Sequence, residues 1–391
     1  MPGPASPFSE LGLRPVVVHA LRRLGVDNPF PIQQAAIPDA MSGRDVLGKA
    51  PTGSGKTLAF GLPMLHRLSG SSSRRWHPRA LILAPTRELV LQIEKALEEP
   101  ALASGVRMVG VVGGVPIKKQ TDRLARGVDV VVATPGRLED LVNATELSLA
   151  DVSITVVDEA DRLADLGFLP QVTALLDRTP TYGQRMLFSA TLDGEVDGLV
   201  AKYLRSPAVH HAEAATDQTS VVEHHFFRVT LGSRDDIAAS IAARDGSTIV
   251  FLRTKHAVDR FADKLVAAGI AAGALHGGKS QAHRTHTLAA FTDGSTPVLV
   301  ATDVAARGID IDTVSLVLHV DPPADAKDYT HRAGRTARAG RAGIVVTLVL
   351  PAQEAEVSSL AADAGIVTRF RDVDASSPHL RETTGARTPP G

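Results

Sequence analysis

Apolar and polar positions alternate in blocks along this chain. Between Val46 and Ser189, short β-branched runs at Ala80–Ala84, Val106–Val112, Asp129–Ala133, Ile154–Asp158 and Met186–Ser189 are separated by stretches with helical spacing. Near-continuous apolar strands that alternate with helices predict a parallel sheet covered on both faces. Each run ends in a polar cluster: Pro85-Thr86-Arg87, Gly113-Gly114, Thr134-Pro135-Gly136-Arg137, Asp158-Glu159 and Ser189-Ala190-Thr191. Ligands bind beyond the carboxyl ends of strands in such sheets, so these clusters share one functional edge. Around Ser206–Thr219 the alternation breaks into a mixed polar stretch. It then restarts with strands expected at Thr248–Leu252, Ala271–Leu275, Val298–Ala301, Leu316–Val320 and Ile344–Leu350. The pattern predicts an α/β domain over 1–207, a linker over 208–219 and a second α/β domain over 220–375. Ser, Thr, Pro and Gly dominate 376–391, which is expected to be a disordered tail.

Composition narrows the class. The 391 residues suit two or three domains, and 44% hydrophobic with 22% charged residues is ordinary for globular protein. With no cysteine there is no disulfide, no Cys-based zinc site and no thiol catalysis, which suits a reducing cytoplasm. Residues 1–6 carry neither the charge nor the apolar core of a signal peptide, and no apolar run is long enough to span a bilayer. The net charge of −1 points to no polyanion, so nucleic-acid binding requires a local basic edge.

Chemistry concentrates first at Ala50-Pro51-Thr52-Gly53-Ser54-Gly55-Lys56-Thr57, between a β-type segment (Asp45–Lys49) and a helical one beginning near Leu58. A Gly-rich turn in that setting is a phosphate-binding loop: its N–H groups and the helix dipole stabilise anionic oxygens. Lys56 is placed to reach the β- and γ-phosphates and the Thr57 hydroxyl to ligate Mg²⁺. The strict pattern has Gly where Ala50 stands, a position that shapes the loop more than its phosphate contacts. Further on, Ile154–Val157 leads into Asp158-Glu159-Ala160-Asp161. A nucleotide site requires one carboxylate on Mg²⁺ and a base to orient water, the roles expected of Asp158 and Glu159.

Together, Ala50–Thr57 and Asp158–Asp161 resemble a DEAD-box RNA helicase of helicase superfamily 2, and the likeness runs in the family's order from Phe8 to Leu350. It implies two tandem RecA-like domains, each a mostly parallel sheet with helices on both faces. Pro29–Gln33 resembles the Q motif, so Gln33 is expected to read the adenine edge and Phe8 to stack on the base; a carboxamide pairs with an amino group and a ring nitrogen together. The family usually has Thr where Phe30 stands and an aromatic where Val26 follows Gly25. The likeness implies that ATP contacts Thr52, Gly53, Ser54, Gly55, Lys56, Thr57 and Asp310. It makes Lys56, Asp158, Glu159, His331, Arg335 and Arg338 catalytic, with the two arginines as fingers on the γ-phosphate. Asp161, Ser189, Thr191 and Arg307 would couple nucleotide to RNA.

The same resemblance gives RNA contacts to Thr86, Arg87, Gly114, Thr134, Pro135, Gly136, Arg137, Arg253, Gly277, Arg284 and Thr302. Hydroxyls, exposed N–H groups and single arginines suit a sugar–phosphate backbone, so binding is expected to be largely sequence-independent. Arg332, Arg335 and Arg338 recur every three residues and are expected on one side of a helical segment. The implied cofactors are ATP and Mg²⁺. The implied partners are RNA and ribonucleoprotein components, with a monomer acting and no membrane. An ATP-gated RNA clamp with little unwinding uses the same residues and stands as the alternative. The pairs His210-His211 and His224-His225 lack neighbours at metal-ligand spacing and are expected to be solvated. Ser69–His77, with Arg74, Arg75 and the only Trp, Trp76, is expected to be a surface loop that partly packs its Trp.

Overall fold

The computed structural model describes residues 7–51, 53–145, 147–192, 194–212, 222–306, 314–337 and 342–391. The chain divides into two compact units, Met1–Thr216 and Asp217–Gly391. The first contains strands β1 (Val46–Lys49), β2 (Ala80–Leu83), β3 (Met108–Val111), β4 (Val130–Ala133), β5 (Ile154–Val157), β6 (Gln184–Ser189) and β7 (Ala208–His211). They form a parallel sheet in the order β3-β4-β2-β5-β6-β1-β7. The second contains β8 (Val222–Arg228), β9 (Thr248–Phe251), β10 (Ala272–Leu275), β11 (Val298–Ala301), β12 (Leu316–His319), β13 (Gly343–Val349) and β14 (Phe370–Asp372). Its order is β10-β11-β9-β12-β13-β8-β14, again parallel. Counted from the first strand of each unit, the two orders are the same.

Alternation along the strands builds a core on each face of the sheet. In the first unit Ile82, Val132 and Val156 pack on one side, and Leu81, Val131 and Leu187 on the other. In the second, Val250, Val300 and Leu318 face one core while Ile249, Leu299 and Val317 face the other. Burying such side chains contributes roughly 1.5–3 kcal/mol each, and with both faces covered the strands carry no polar stripe. Polarity is therefore displaced to the strand ends, where the candidate site residues cluster.

Two expected boundaries change. Ala208–His211, placed in the linker by its two histidines and the mixed polar stretch around it, is β7, an edge strand paired to β1. His210 lies 3.0 Å from Asp39 rather than free in solvent. The tail from 376 is ordered: Pro378–Thr384 is a helix ended by Gly385 at φ +72°. Leu380 and Ala386 enter a core of the second unit, and the Arg387 N–H donates to the Ser240 carbonyl at 2.9 Å. Two apolar anchors in a Ser/Thr/Pro-rich segment suffice to hold it. Trp76 packs against a core of the first unit, and Arg74 pairs with Asp151 at 2.7 Å, which fixes the Ser69–His77 loop. Among the described residues, no helix is long and apolar enough to cross a membrane.

Candidate nucleotide site and nucleic-acid edges

The phosphate loop leaves β1 at Ala50, whose N–H donates to the Ser189 carbonyl at 3.0 Å. Gly53 and Gly55 have φ of +84° and +85°, a left-handed backbone that suits glycine. Gly55 caps the helix Lys56–Leu68, so the loop ends at a helix N-terminus, a setting that suits an anion; within the loop the Ser54 N–H donates to the Pro51 carbonyl at 3.3 Å. Lys56 is folded back into its own loop: Nζ donates to the carbonyls of Ala50 (2.8 Å) and Pro51 (3.1 Å). Ser54 Oγ donates to the Pro51 carbonyl at 2.7 Å. Thr57 is half-buried in the first turn, while Thr52 lies outside the described residues.

Gln33 stands over this loop. Its Oε1 accepts from the Phe30 N–H at 2.8 Å, and its Nε2 donates to the Gly55 carbonyl at 2.9 Å. Phe8 does not join them. It is fully buried among Leu13, Val17, Leu21, Ile37 and Leu62, so neither ring face is open to a base. The expectation that Phe8 stacks on adenine is corrected: it is the anchor of the N-terminal helices.

The acidic cluster follows β5. Asp158 is buried, and its Oδ1 accepts from the Glu159 N–H at 3.0 Å. Burial pushes its carboxyl up to about 7; Lys56 pulls it down, while Glu159 and Asp161 add to the rise. The site thus contains a buried carboxyl that Lys56 only partly offsets, and the helix after the loop begins with a hydroxyl residue, Thr57. Carboxylate and hydroxyl oxygens suit a hard cation that keeps several waters, so the donors fit Mg²⁺. Glu159 has φ of +48°, an unusual conformation for a side chain with a Cβ, and its carboxylate pairs with Arg162 at 3.1 Å. Asp161 links this cluster to β6: its Oδ2 accepts from the N–H of Thr191 (3.0 Å), the Thr191 hydroxyl (3.1 Å) and the N–H of Ala190 (3.2 Å). In return, the Asp161 N–H donates to Ser189 Oγ at 3.1 Å.

Along the same sheet edge, Thr86 caps the helix Arg87–Ser104 by accepting from the Leu89 N–H at 3.3 Å. The Arg87 guanidinium covers Gly113 and Gly114 so closely that a Cβ on Gly114 would lie 2.2 Å from Nη1. Arg137 donates to the Val115 carbonyl at 2.7 Å from the helix that Thr134, Pro135 and Gly136 begin. Pro135 is buried and shapes that turn rather than presenting a surface.

The second unit repeats this edge. Arg253-Thr254-Lys255 follows β9 as Pro85-Thr86-Arg87 follows β2, and Thr254 caps its helix by accepting from the Ala257 N–H at 3.2 Å. His276-Gly277-Gly278 follows β10 as Gly113-Gly114 follows β3, and the Lys255 stem lies beside Gly278 as Arg87 lies beside Gly114. Thr302 follows β11 as Thr134 follows β4. Arg253 and Gly277 are exposed, but Arg284 is buried on the inner side of its helix and does not face solvent as they do. Lys255, not singled out from the sequence, belongs to this set; the signal was the repeated Thr-basic pair after a strand.

The arginine-rich segment is not one helical face. The helix Ala326–Ala333 stops at Gly334, leaving Arg332 in its last turn and Arg335 beyond it, because Thr336 bridges to Val314 instead. Arg332 is committed internally, forking onto Asp303 at 2.5 and 2.8 Å and donating to the Asp321 carbonyl at 2.8 Å. His331 is half-buried and Arg335 buried; Arg307, Asp310 and Arg338 lie outside the described residues. Among the described residues, no group of three or more His, Cys, Asp or Glu forms a metal cluster, and His224 Nδ1 sits 2.8 Å from the Tyr329 hydroxyl instead.

Comparison with known proteins agrees with this geometry. The DEAD/DEAH box helicase model matches residues 30–199, and the helicase conserved C-terminal domain model matches 234–340. The DEAD-box ATP-dependent RNA helicase 9, mitochondrial, of Arabidopsis thaliana is 38% identical over 97% of this chain and 64% of its own length. The chain spans between half and two thirds of the curated relatives it matches. The structure of S. cerevisiae Dbp5 bound to RNA and ADP BeF3 superposes with a TM-score of 0.82 at 29% identity, covering 94% of this chain and 96% of that one. The RNA helicase Prp28 from Chaetomium thermophilum bound to ADP is 36% identical, covers 97% of this chain and 92% of its own, and gives a TM-score of 0.51. With both helicase models matched and relatives similar over nearly its whole length, the chain belongs to the DEAD-box helicase family.

Proposed function

We propose that this chain is an RNA-dependent ATPase and ATP-dependent RNA helicase that separates short duplexes locally or remodels RNA–protein complexes. ATP takes the loop Pro51–Thr57, where its phosphates draw Lys56 Nζ away from the Ala50 and Pro51 carbonyls. Gln33 turns its carboxamide from Gly55 to the adenine edge. Thr57 and Asp158 would hold Mg²⁺, which neutralises charge on the phosphates when bound. Glu159 orients the attacking water, its carboxylate steadied by Arg162. His331, Arg335 and Arg338, with Arg307 and Asp310, complete the site when the two units close, so hydrolysis waits for RNA. RNA lies against the two repeated edges, held through its backbone.

The Asp161 network carries this reading: one carboxylate accepts three hydrogen bonds from Ala190 and Thr191, so the acidic cluster and the end of β6 must move together. Ribonucleoprotein partners, a monomeric state and a reducing, cytoplasmic location belong to the same proposal. The test is strand displacement on a short RNA duplex with ATP, for wild type and Glu159→Gln. The wild type separates the strands; the variant binds ATP and RNA but does not turn over. A wild type that hydrolyses ATP and grips RNA without separating strands would make the protein an ATP-gated clamp instead.

A further inference from the structure

Two phenylalanines precede Gln33, and they have opposite surroundings. Phe8 is fully buried, whereas Phe30 is 52% exposed and belongs to none of the hydrophobic cores. Val26, the other apolar residue on this approach, packs against the Phe8 core. Phe30 stands at the N-cap position of the helix Pro31–Met41, where its N–H is taken by Gln33 Oε1. Its ring reaches the phosphate loop: a Cβ on Gly55 would lie 2.7 Å from Phe30 Cδ2 and 2.4 Å from Gln33 Nε2. An open phenyl face, a carboxamide and a phosphate loop therefore meet within one patch.

A planar base requires two things of such a patch. Its edge must be matched by a donor and an acceptor, which a carboxamide has, and its face must be covered by an apolar or aromatic surface. With Phe8 sealed in the core and Val26 committed to the same core, Phe30 is the ring beside Gln33 that is open. We infer that Phe30 supplies the face against which the nucleobase of ATP packs in this chain. Gln33 then sets which base is accepted, and Phe30 sets how tightly it is held. The inference rests on the nucleotide-site reading of Pro51–Thr57.

Calorimetric titration with two probes, ATP and inorganic tripolyphosphate, separates base packing from support of the loop. Base–aromatic stacking is strong enough that Phe30→Ala weakens ATP about tenfold. Tripolyphosphate, which has no base, binds the variant as it binds wild type, and Phe30→Tyr retains ATP affinity within about twofold. Because the ring is half exposed, thermal unfolding of Phe30→Ala stays near wild type. A second variant reads the contact directly: Phe30→Trp gains fluorescence that ATP quenches and tripolyphosphate does not, against the constant signal of Trp76. Unchanged ATP affinity in Phe30→Ala would overturn the inference, as would an equal loss of ATP and tripolyphosphate, which would make Phe30 a brace for the loop. A wild type that binds neither probe would overturn the nucleotide-site reading and this inference with it.

Discussion

The two units have one strand order and part company after their first and fifth strands. After β1 comes a loop with left-handed Gly53 and Gly55 that ends at the start of the helix Lys56–Leu68. After β8 comes Thr230–Ser233, where the Thr230 N–H donates to Ser233 Oγ (3.3 Å) and the Ser233 N–H to Thr230 Oγ1 (3.2 Å). That turn closes on itself through two side-chain hydroxyls. After β5, Asp158 is buried with its carboxyl pushed up to about 7. After β12, Asp321 is neutralised, accepting from Arg234 at 3.1 Å and from the Arg253 N–H at 2.9 Å. Beyond β2, β3 and β4, by contrast, the second unit answers position for position. The fold thus provides equivalent strand ends twice; the candidate chemistry resides where the loops that follow them differ. On the proposed reading, one unit binds phosphate and both present a backbone-binding edge.

Breaking that asymmetry should give the largest effect. Glu159→Gln lowers the ATPase rate by about 10²–10⁴-fold, the range for a lost positioned base. Ser233→Ala, in the equivalent turn of the second unit, leaves it within about twofold. Steady-state phosphate release measures both. Next, Arg332→Ala strands Asp303 and destabilises the second unit by about 3–5 kcal/mol, since Arg332 is buried and its fork is lost. Hydrogen exchange resolved by segment should show the loss over β9–β13 and not over β1–β6.

A third prediction turns on pH. The folded Asp158 carboxyl titrates near 7 and its ordinary value is 3.8, so the native state retains a proton that the unfolded chain has released in between. Stability therefore falls as pH rises from about 4 to 7 and stays lowered above that. Asp158→Asn removes this dependence: it matches wild type near pH 4 and exceeds it at pH 8 by about 2–4 kcal/mol, read by denaturant unfolding of nucleotide-free protein. The smallest effect sharpens the likeness of the two edges. Thr86→Ala and Thr254→Ala each remove one N-cap and should each cost about 1 kcal/mol, equally in the two units.

The central strands were legible because they are buried on both faces, and β2, β4 and β11 read as unbroken apolar runs. Edge strands were not. β7 alternates weakly and contains two histidines, and β14 is three residues long and largely exposed. The phosphate loop and the acidic turn are local in sequence and could be read directly. The Asp303–Arg332 fork joins residues 29 apart, and no spacing rule marks it. Phe8 and Phe30 look alike as letters, and their roles separated only once a core formed over one of them. Arg332, Arg335 and Arg338 have helical spacing, but Gly334 ends the helix after the first, so periodicity continued past its physical stop.

The most direct test of the account is the rate of ATP hydrolysis measured without nucleic acid, with short single-stranded RNA, and with DNA of the same sequence, at low and moderate salt. If one phosphate site is governed by two backbone-binding edges that distinguish the 2′-hydroxyl, RNA stimulates the rate, DNA does so far less, and the RNA effect weakens as salt rises. A rate indifferent to RNA at both salts would contradict the account, and equal stimulation by DNA would make the protein a DNA-dependent motor instead.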